Sequence, residues 1–184
     1  MSEPCFTPPV VSFVGRSGSG KTTLVERVIA SLSIRGFRVG AVKHHAHDIE
    51  LDVVRKDSWR HAQAGAVANV VSGPRQFALF QRVERERTLA ELVELLGDVD
   101  VVLVEGYRAD SASCVEVVRG ANSPEMVCSA DELIAIVTDL EPSQLPAAIG
   151  DAVATRRIEL FTLDDAEAIA SAIAVGSLTW KVPQ

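Results

Sequence analysis

The chain has 184 residues, 47% hydrophobic and 23% charged, which is an ordinary globular composition and a length sufficient for a core of its own. It has no apolar run near the roughly 18 residues that a membrane helix needs, and its start lacks the basic residues of a signal peptide. The net charge of -7 combines a positive first third (residues 1–61) with an acidic remainder and no Lys/Arg run, which argues against nucleic-acid binding but suits a compact anionic ligand.

The first half of the chain is predicted to alternate strands with helices after a loose leader over residues 1–9. Short apolar runs rich in β-branched residues indicate strands, and apolar residues at i, i+3 and i+4 indicate helices. Gly36 stands where a helix C-cap glycine belongs, and Ser72-Gly73-Pro74 has the composition of a turn. The predicted elements are strands at Val10–Val14, Phe37–Val42, Val67–Val71 and Phe77–Val83, helices at Lys21–Arg35 and Lys56–Ala64, and a polar loop at Lys43–Arg55.

The second half of the chain continues this alternation. Its predicted elements are helices at Thr88–Leu96 and Ala166–Val175, strands at Val101–Val104, Val115–Val118, Leu133–Val137 and Ile158–Thr162, and loops at Asp110–Ser113, Gly120–Pro124 and Leu140–Pro146. Strands that alternate with helices form βαβ units. The sequence therefore predicts an α/β fold in which a mostly parallel sheet carries helices on both faces, within a single domain over residues 1–184.

The segment from Gly15 to Thr22 matches the phosphate-binding pattern G-x-x-x-x-G-K-[ST]. Glycines let backbone N–H groups approach phosphate oxygens, and the helix that follows directs its positive end at the anion. Lys21 supplies a point charge to the β- and γ-phosphates, and the Thr22 hydroxyl is a Mg²⁺ ligand. Because a predicted strand precedes the pattern and a predicted helix follows it, we predict a P-loop NTPase fold. The candidate nucleotide-binding residues are Gly15, Ser17, Gly18, Ser19, Gly20, Lys21, Thr22 and Thr23.

A second magnesium ligand is expected at the end of a buried strand beside the first one. Glu105 fits this position because it follows the apolar run Val101–Val104 and precedes Gly106. The carboxyl ends of strands are where α/β sheets bind ligands. Asp100 lies at the opposite end of the same strand and is predicted to be a cap or loop residue.

A polar segment follows the second predicted strand, so it begins at the ligand-binding edge of the sheet. It contains His44, His45 and His47 in close succession. Three interpretations stay open: a loop that completes a Mg²⁺–nucleotide site, a transition-metal site built on the imidazoles, and a solvated polar loop. The basic residues of the segment, which suit an anionic second ligand, are Lys43, Lys56 and Arg60.

The cysteines are odd in number and widely spaced, at Cys5, Cys114 and Cys128, and none forms a CxxC pair. This usage argues against a disulfide framework and favours free thiols in a reducing compartment. The sequence therefore predicts a cytoplasmic protein.

Four sequence blocks follow one another within residues 10–119. They are Gly15–Thr23 (GRSGSGKTT), Val42–Asp48 (VKHHAHD), Lys56–Arg60 (KDSWR) with Ala64–Ala66 behind it, and Leu103–Arg108 (LVEGYR). In these blocks and their order the chain resembles the molybdopterin-guanine dinucleotide biosynthesis adapter proteins, the MobB family. The resemblance implies a homodimeric GTP-binding protein with weak GTPase activity. It also implies a partner, the guanylyltransferase that attaches GMP to the molybdenum-bound pterin cofactor.

The resemblance also implies roles for individual residues. It supports Glu105, because a strand-end Glu-Gly replaces the usual acidic magnesium ligand elsewhere in the wider class of P-loop proteins. It implies a further acid from the loop after the second strand, for which the candidates are Asp48, Asp52 and Asp57. His44 and His47 would orient the attacking water or contact the pterin phosphate. The residues expected in catalysis are His44, His47, Asp52, Asp57 and Glu105.

The chain departs from the family pattern in two places. Val54-Arg55-Lys56-Asp57 stands where family members commonly have Pro-Gly-Lys-Asp. The guanine signature Asn/Thr-Lys-x-Asp is missing, and its nearest counterpart is Thr138-Asp139 at the end of a predicted strand. Asp139 is either a turn residue or a carboxylate that accepts from guanine N1–H and N2–H₂. The GTP preference therefore rests on the resemblance, and the alternatives are a GTP-dependent nickel-insertion metallochaperone and an ATP-dependent small-molecule kinase or ligase.

Overall fold

The computed structural model describes residues 8–45, 47–107, 113–121, 125–155 and 157–179. The strands, in chain order, are β1 Val10–Val14, β2 Val39–Lys43, β3 Ala68–Ser72, β4 Phe77–Gln81, β5 Val101–Glu105, β6 Cys114–Val118, β7 Leu133–Thr138 and β8 Glu159–Phe161. The helices are α1 Lys21–Ile34, α2 Asp57–Gln63, α3 Leu89–Glu94, α4 Ala147–Ala154 and α5 Ala166–Ala174, with a 3₁₀ turn at Pro142–Gln144. No helix in the described part of the chain is long and apolar enough to span a bilayer.

The chain divides into two compact units. One contains the residues up to His44 together with those from Thr88 onward, and the other is His45–Arg87. The prediction of a single domain over residues 1–184 stays a prediction.

The first unit is built on a parallel sheet with the strand order β2-β5-β1-β6-β7-β8. Every residue of β1, β5 and β6 is buried. Nearly continuous apolar runs are typical of parallel sheets covered on both faces, which is why these strands could be identified in the sequence although Ser12 interrupts β1 and Glu116 interrupts β6. The carboxyl ends of β5, β1 and β6 consequently lie side by side at one edge of the sheet.

Helices cover both faces of this sheet. Side chains that alternate along β1 point to opposite faces, so Phe13 packs in a cluster with α1 and α5, while Val10 packs with α3 and Val14 with α4. Complete burial of a side chain such as Phe13 stabilises the fold by about 1.5–3 kcal/mol relative to exposure. The predicted α/β class, with a mostly parallel sheet and helices on both faces, is confirmed.

Gly36 ends α1 in the predicted manner. Its φ is +89°, and Gly36 and Phe37 donate their N–H groups to carbonyls of the last turn at 3.0 and 3.1 Å, as in a Schellman motif. Phe37 is thereby used in the cap, and the N–H of Arg38 donates to the Asp100 carboxylate at 2.7 Å. For this reason β2 begins at Val39, two residues later than predicted. Asp100 is a capping residue at the amino edge of the sheet.

Helix α4 has no counterpart among the predicted elements. Its sequence is almost entirely small and apolar and contains Gly150, so it lacks the polar spacing that marks an amphipathic helix. The predicted leader is described only at its last two residues, of which Pro8 is buried. The predicted loops after β5 and β6 fall partly or largely outside the described residues.

The second unit contains α2 and an antiparallel hairpin of β3 and β4. The Gly73 N–H donates to the carbonyl of Gln76 at 2.9 Å, so the predicted Ser72-Gly73-Pro74 turn is confirmed. Most hairpin side chains are exposed, including the large apolar Val70 at 65% and Phe77 at 74%.

Candidate functional site

The predicted phosphate loop joins β1 to α1 and is held tightly against the neighbouring strand. Gly15 has a φ of +137°, and a Cβ at this position would lie 2.3 Å from the carbonyl oxygen of Val117 in β6. Gly20, directly before α1, also has a positive φ of +95°. At Gly15 only glycine can adopt this φ and also let the backbone lie so close to the Val117 carbonyl. The loop therefore begins as a cradle that a side chain would fill.

Two polar groups of the loop are arranged as a phosphate site requires. Ser19 is buried, and its Oγ has no hydrogen-bond partner among the described residues. Lys21 Nζ donates to the carbonyl oxygens of Gly15 and Arg16 at 2.8 and 2.7 Å, which places the ammonium over the loop. A buried hydroxyl without a partner is costly unless a ligand or water completes it. Phosphate oxygens would serve both groups.

Thr22, Glu105 and Lys43 form a closed set of contacts at the same edge of the sheet. The Thr22 hydroxyl donates to Glu105 Oε1 at 2.7 Å. Lys43 Nζ donates to Thr22 Oγ1 at 3.2 Å and forms an ion pair with the same Glu105 oxygen. The two strands place this pair, because Lys43 of β2 lies opposite Glu105 of β5 in the parallel register. The sequence predicted Thr22 and Glu105 as metal ligands, and the structure brings them into contact.

The electrostatics of this cluster depend on burial. Desolvation lowers the pKa of Lys21 and Lys43 acts in the same direction, whereas Glu105 and Glu116 oppose the shift. Burial acts to raise the pKa of Glu105, but hydrogen bonds from Lys43 and Thr22 and the charges of Lys43 and Lys21 outweigh it and lower that pKa. Glu105 is therefore an ionised carboxylate beside a hydroxyl, and such hard oxygen ligands suit Mg²⁺. No group of three His, Cys, Asp or Glu side chains suited to a metal occurs among the described residues.

His44 is held directly beside Glu105. Its N–H donates to the Glu105 carbonyl at 2.9 Å, and its Nδ1 lies 3.3 Å from the carbonyl oxygen of Gly106. Since a carbonyl only accepts, Nδ1 is assigned the ring hydrogen and Nε2 the lone pair. The ring also meets Tyr107 edge-on, with centroids 4.8 Å apart. Gly106 allows this approach, because a Cβ there would lie 3.1 Å from the His44 carbonyl oxygen.

The other predicted residues of the polar segment belong to the second unit. Asp52 Oδ1 accepts from the N–H of Val53 at 2.7 Å and from the Ser58 hydroxyl at 3.0 Å, so Asp52 organises the turn that leads into α2. Lys56 is the N-cap residue of α2, and Asp57, its first residue, pairs with Arg60 at 3.6 Å. His47 and Asp48 are exposed. Their predicted roles at a nucleotide site stay predictions.

A cleft of about 450 Å³ opens at the carboxyl ends of β7 and β8. The predicted Thr138 and Asp139 line it, together with Arg119, Thr162 and Asp164, which the sequence analysis did not select. Asp139 Oδ1 accepts from the Gly120 N–H at 2.7 Å, and Thr138 Oγ1 accepts from the Leu140 N–H at 3.0 Å. Thr162 is the last residue of the predicted strand Ile158–Thr162 and directly follows the observed β8, so the rule that ligands bind at carboxyl ends would have identified it.

Comparison with known proteins gives consistent results. The model of the family described as "Molybdopterin guanine dinucleotide synthesis protein B" (MobB) matches residues 10–139. The chain belongs to the MobB family. The molybdopterin-guanine dinucleotide biosynthesis adapter protein of Escherichia coli K12 is 32% identical over 149 residues, which are 78% of this chain and 85% of that relative. The adapter protein of Haemophilus influenzae is 35% identical over 104 residues, 55% of this chain and 58% of that relative.

Solved MobB structures share the fold over nearly the whole chain. The crystal structure of Bacillus subtilis MobB matches with a TM-score of 0.69 and 26% identity, covering 92% of this chain and 98% of that one. A structure described as molybdopterin-guanine biosynthesis protein B matches with a TM-score of 0.67 and 31% identity, covering 91% and 98%. The predicted family and its P-loop α/β fold are confirmed. The comparisons support the adapter interpretation and not its nickel or kinase alternatives.

The backbone at Arg55 has a conformation that is rare for a residue with a side chain. Its φ is +71°, the left-handed conformation that glycine adopts at least cost, and glycine is the residue that the family resemblance predicts at this position. For a residue with a side chain this conformation costs roughly 1–2 kcal/mol. The turn before α2 therefore has, at Arg55, a backbone conformation that favours glycine.

Two acids with specific partners in this MobB chain were not predicted from the sequence. Glu116, fully buried in β6, accepts from the N–H groups of Val127 and Cys128. Glu125, in the same segment, forms an ion pair with Arg16 of the loop. Glu116 could have been identified from the sequence as a carboxylate within an apolar strand, because such a group is rarely buried without a specific partner.

The cysteines agree with their predicted character where they can be described. Cys114 and Cys128 are free and buried, and Cys5 lies outside the described residues. A hydrogen bond with Cys114, together with burial, raises the pKa of the Cys128 thiol. Such thiols are unreactive at neutral pH.

Proposed function

We propose that this chain is a GTP-binding adapter with slow GTPase activity that assists the guanylylation of molybdopterin. The observation that carries the proposal is the phosphate loop, with its orphaned Ser19 hydroxyl, its glycine cradle and the ammonium of Lys21 above it. Such a loop binds the phosphates of a nucleotide. MobB membership supports the pathway, because relatives are named as molybdopterin-guanine dinucleotide biosynthesis adapter proteins.

In this proposal Thr22 and Glu105 hold Mg²⁺ beside the phosphates. Their oxygen atoms lie 2.7 Å apart at the carboxyl end of β5, and both are ligands that Mg²⁺ prefers. Bound there, the ion would neutralise charge on the β- and γ-phosphates. Lys21 and the backbone N–H groups of the loop would hold the same phosphates from the other side.

Slow hydrolysis requires positioned charge more than a dedicated base. His44 is the described side chain best suited to orient water, because its contacts with Gly106 and Tyr107 fix the ring beside Glu105. The roles proposed for His47, Asp52 and Asp57, and the anion contacts proposed for Lys56 and Arg60, rest on the family resemblance of their segment.

The cleft at β7 and β8 is the proposed guanine site. Asp139 follows β7, and a carboxylate accepts from guanine N1–H and N2–H₂, an edge that adenine lacks. Thr138 supports the turn through its bond to Leu140.

Replacing Asp139 with asparagine tests the guanine site. We expect Asp139→Asn to lower GTP affinity about 100-fold. The carboxylate can accept from both guanine N–H groups, whereas the amide NH₂ of asparagine is a donor and would face one of those N–H donors without a hydrogen bond. The amide oxygen can still accept from Gly120, which preserves the turn, and its NH₂ can donate to the C2 oxygen of xanthine. Calorimetric titration with GTP, ATP and XTP measures the change.

Asp131→Asn is the matched control, because it removes the same charge from an exposed position before β7. Its affinities should equal those of the unmodified protein. Equal GTP affinity in Asp139→Asn would contradict the guanine site. If the unmodified chain prefers ATP, the GTP assignment itself is wrong.

The adapter role implies two protein contacts, a molybdenum cofactor guanylyltransferase and a second copy of this chain. The exposed apolar side chains of the β3–β4 hairpin support self-association, since a two-stranded hairpin is marginally stable alone and gains from a further partner. The cytoplasm is the proposed compartment, where buried thiols such as those of Cys114 and Cys128 stay reduced.

Affinity capture by the immobilised guanylyltransferase, with and without Mg²⁺ and GTP, tests the adapter role. We expect specific retention of this chain in at least one of the two conditions. Light scattering of the purified chain should report the mass of two copies. Failure to bind in both conditions would contradict the adapter role, and a monomeric mass would contradict self-association.

A further inference from the structure

The ammonium of Lys43 lies on the same two oxygens that the proposed function assigns to Mg²⁺. Lys43 Nζ donates to Thr22 Oγ1 at 3.2 Å and pairs with Glu105 Oε1, while those two oxygens lie 2.7 Å from each other. The fold sets this position, because Lys43 and Glu105 are register partners on adjacent parallel strands. Glu105 is buried, whereas the Lys43 side chain is 46% exposed.

A magnesium ion and this ammonium cannot use Glu105 Oε1 in the same way at the same time. Mg²⁺ binds oxygen at about 2.0–2.1 Å with near-octahedral geometry, which requires the space and the lone pairs that Lys43 now uses. Two cations on one carboxylate oxygen also repel each other, and the partly buried setting strengthens that repulsion.

We propose that Lys43 is a built-in counter-cation that competes with Mg²⁺ for Thr22 and Glu105. This inference rests on the proposed Mg²⁺–GTP site. Before nucleotide arrives, Lys43 neutralises Glu105 and keeps it in contact with Thr22. Its half-exposed stem lets the ammonium leave this pair when the metal binds.

Because of this competition, the site should bind Mg²⁺ more tightly when a nucleotide is present than when the metal is alone. Mg²⁺ alone must displace Lys43 with no new partner for the ammonium. A triphosphate supplies further oxygen ligands to the metal and offers the displaced ammonium an anion nearby. The chain should therefore bind Mg²⁺ with GTP and resist the metal alone.

Metal titrations of Lys43→Met test the competition. Binding of Mn²⁺ in the absence of nucleotide is followed by electron paramagnetic resonance, and the Mg²⁺ concentration for half-maximal binding of a fluorescent GTP analogue is measured separately. Because the competitor is removed, we expect Lys43→Met to bind Mn²⁺ alone at least about tenfold more tightly and to need correspondingly less Mg²⁺. Lys43→Arg, which keeps the charge, should restore the behaviour of the unmodified chain.

Arg157→Met is the matched control, since it removes one positive charge at the opposite, amino edge of the sheet. Lys43→Gln provides a second variant if Lys43→Met melts below the assay temperature. Unchanged or weaker metal binding in the folded variant would overturn the inference. Absence of GTP binding by the unmodified chain would instead overturn the proposed function, and the nucleotide-free Mn²⁺ titration would still decide the role of Lys43.

Discussion

Replacing Lys21 with methionine is expected to abolish tight binding of GTP. The ammonium lies over the phosphate loop, where its two bonds go to the carbonyls of Gly15 and Arg16. On nucleotide binding these would be exchanged for charge-assisted bonds to phosphate oxygens, each worth about 1.5–3 kcal/mol. Loss of two such bonds lowers affinity on the order of a thousand-fold. Calorimetric titration with Mg²⁺ and GTP measures the change.

Methionine keeps the unbranched stem of Lys21, so its packing at the start of α1 is retained. Arg157→Met controls for the loss of one positive charge, and circular dichroism of both variants establishes that they are folded. If Lys21→Met bound GTP as tightly as the unmodified chain, the phosphate-site assignment would be wrong.

The sequence predicted those elements whose burial leaves a periodic signal. Strand β1 has its predicted bounds because a run of five residues, four of them apolar and the fifth Ser12, stands between Pro9 and Gly15, and all five are buried. Helix α1 could be predicted at both ends, from the phosphate-loop glycine before it and Gly36 after it. Helix α4 could not, because a segment of Ala, Ile, Val and Gly whose one charged residue is Asp151 carries no regular alternation between a polar and an apolar face.

The sequence predicts those parts of the candidate site whose positions follow from the parallel arrangement of the strands. Once β1, β2 and β5 are placed in one parallel sheet, their carboxyl ends must meet, and Thr22 and Glu105 come together. The contact of Lys43 with both required the strand register, which pattern alone does not provide. From its sequence context Lys43 is predicted to contact an anionic ligand, whereas in the structure it contacts two oxygen atoms of the kind that bind metal ions.

Contacts that depend on loop conformation were beyond the sequence. Glu125 forms an ion pair with Arg16, and the segment that contains Glu125 is anchored by buried Glu116, which accepts from the N–H groups of Val127 and Cys128. Acids from the negatively charged remainder of the chain also form ion pairs with cations of the positively charged first third, residues 1–61. Glu105 forms an ion pair with Lys43, and Glu125 forms one with Arg16.

Replacing Gly15 with alanine is expected to destabilise the protein strongly. The new Cβ would lie 2.3 Å from the Val117 carbonyl oxygen and 3.2 Å from Ser19 Oγ, and the φ of +137° is strained for any residue with a side chain. Strained backbone costs about 1–3 kcal/mol and overpacking a further 1–3 kcal/mol. Because Val117 belongs to the central sheet, it cannot shift without breaking its ladder. We expect the free energy of unfolding to fall by about 3–5 kcal/mol, which lowers the melting temperature on the order of 10 °C.

The matched control for Gly15 is Gly36→Ala. Gly36 also has a positive φ, +89°, but a Cβ there meets no atom within 4 Å, so only the conformational strain of about 1 kcal/mol should appear. The difference between the two melting temperatures isolates the contact with β6. Equal losses in the two variants would show that the first glycine of the phosphate loop is required for its backbone angle alone. A larger loss in Gly15→Ala shows that the loop must lie against β6, and GTP affinity should then fall with it, because displaced N–H groups no longer converge on the phosphates.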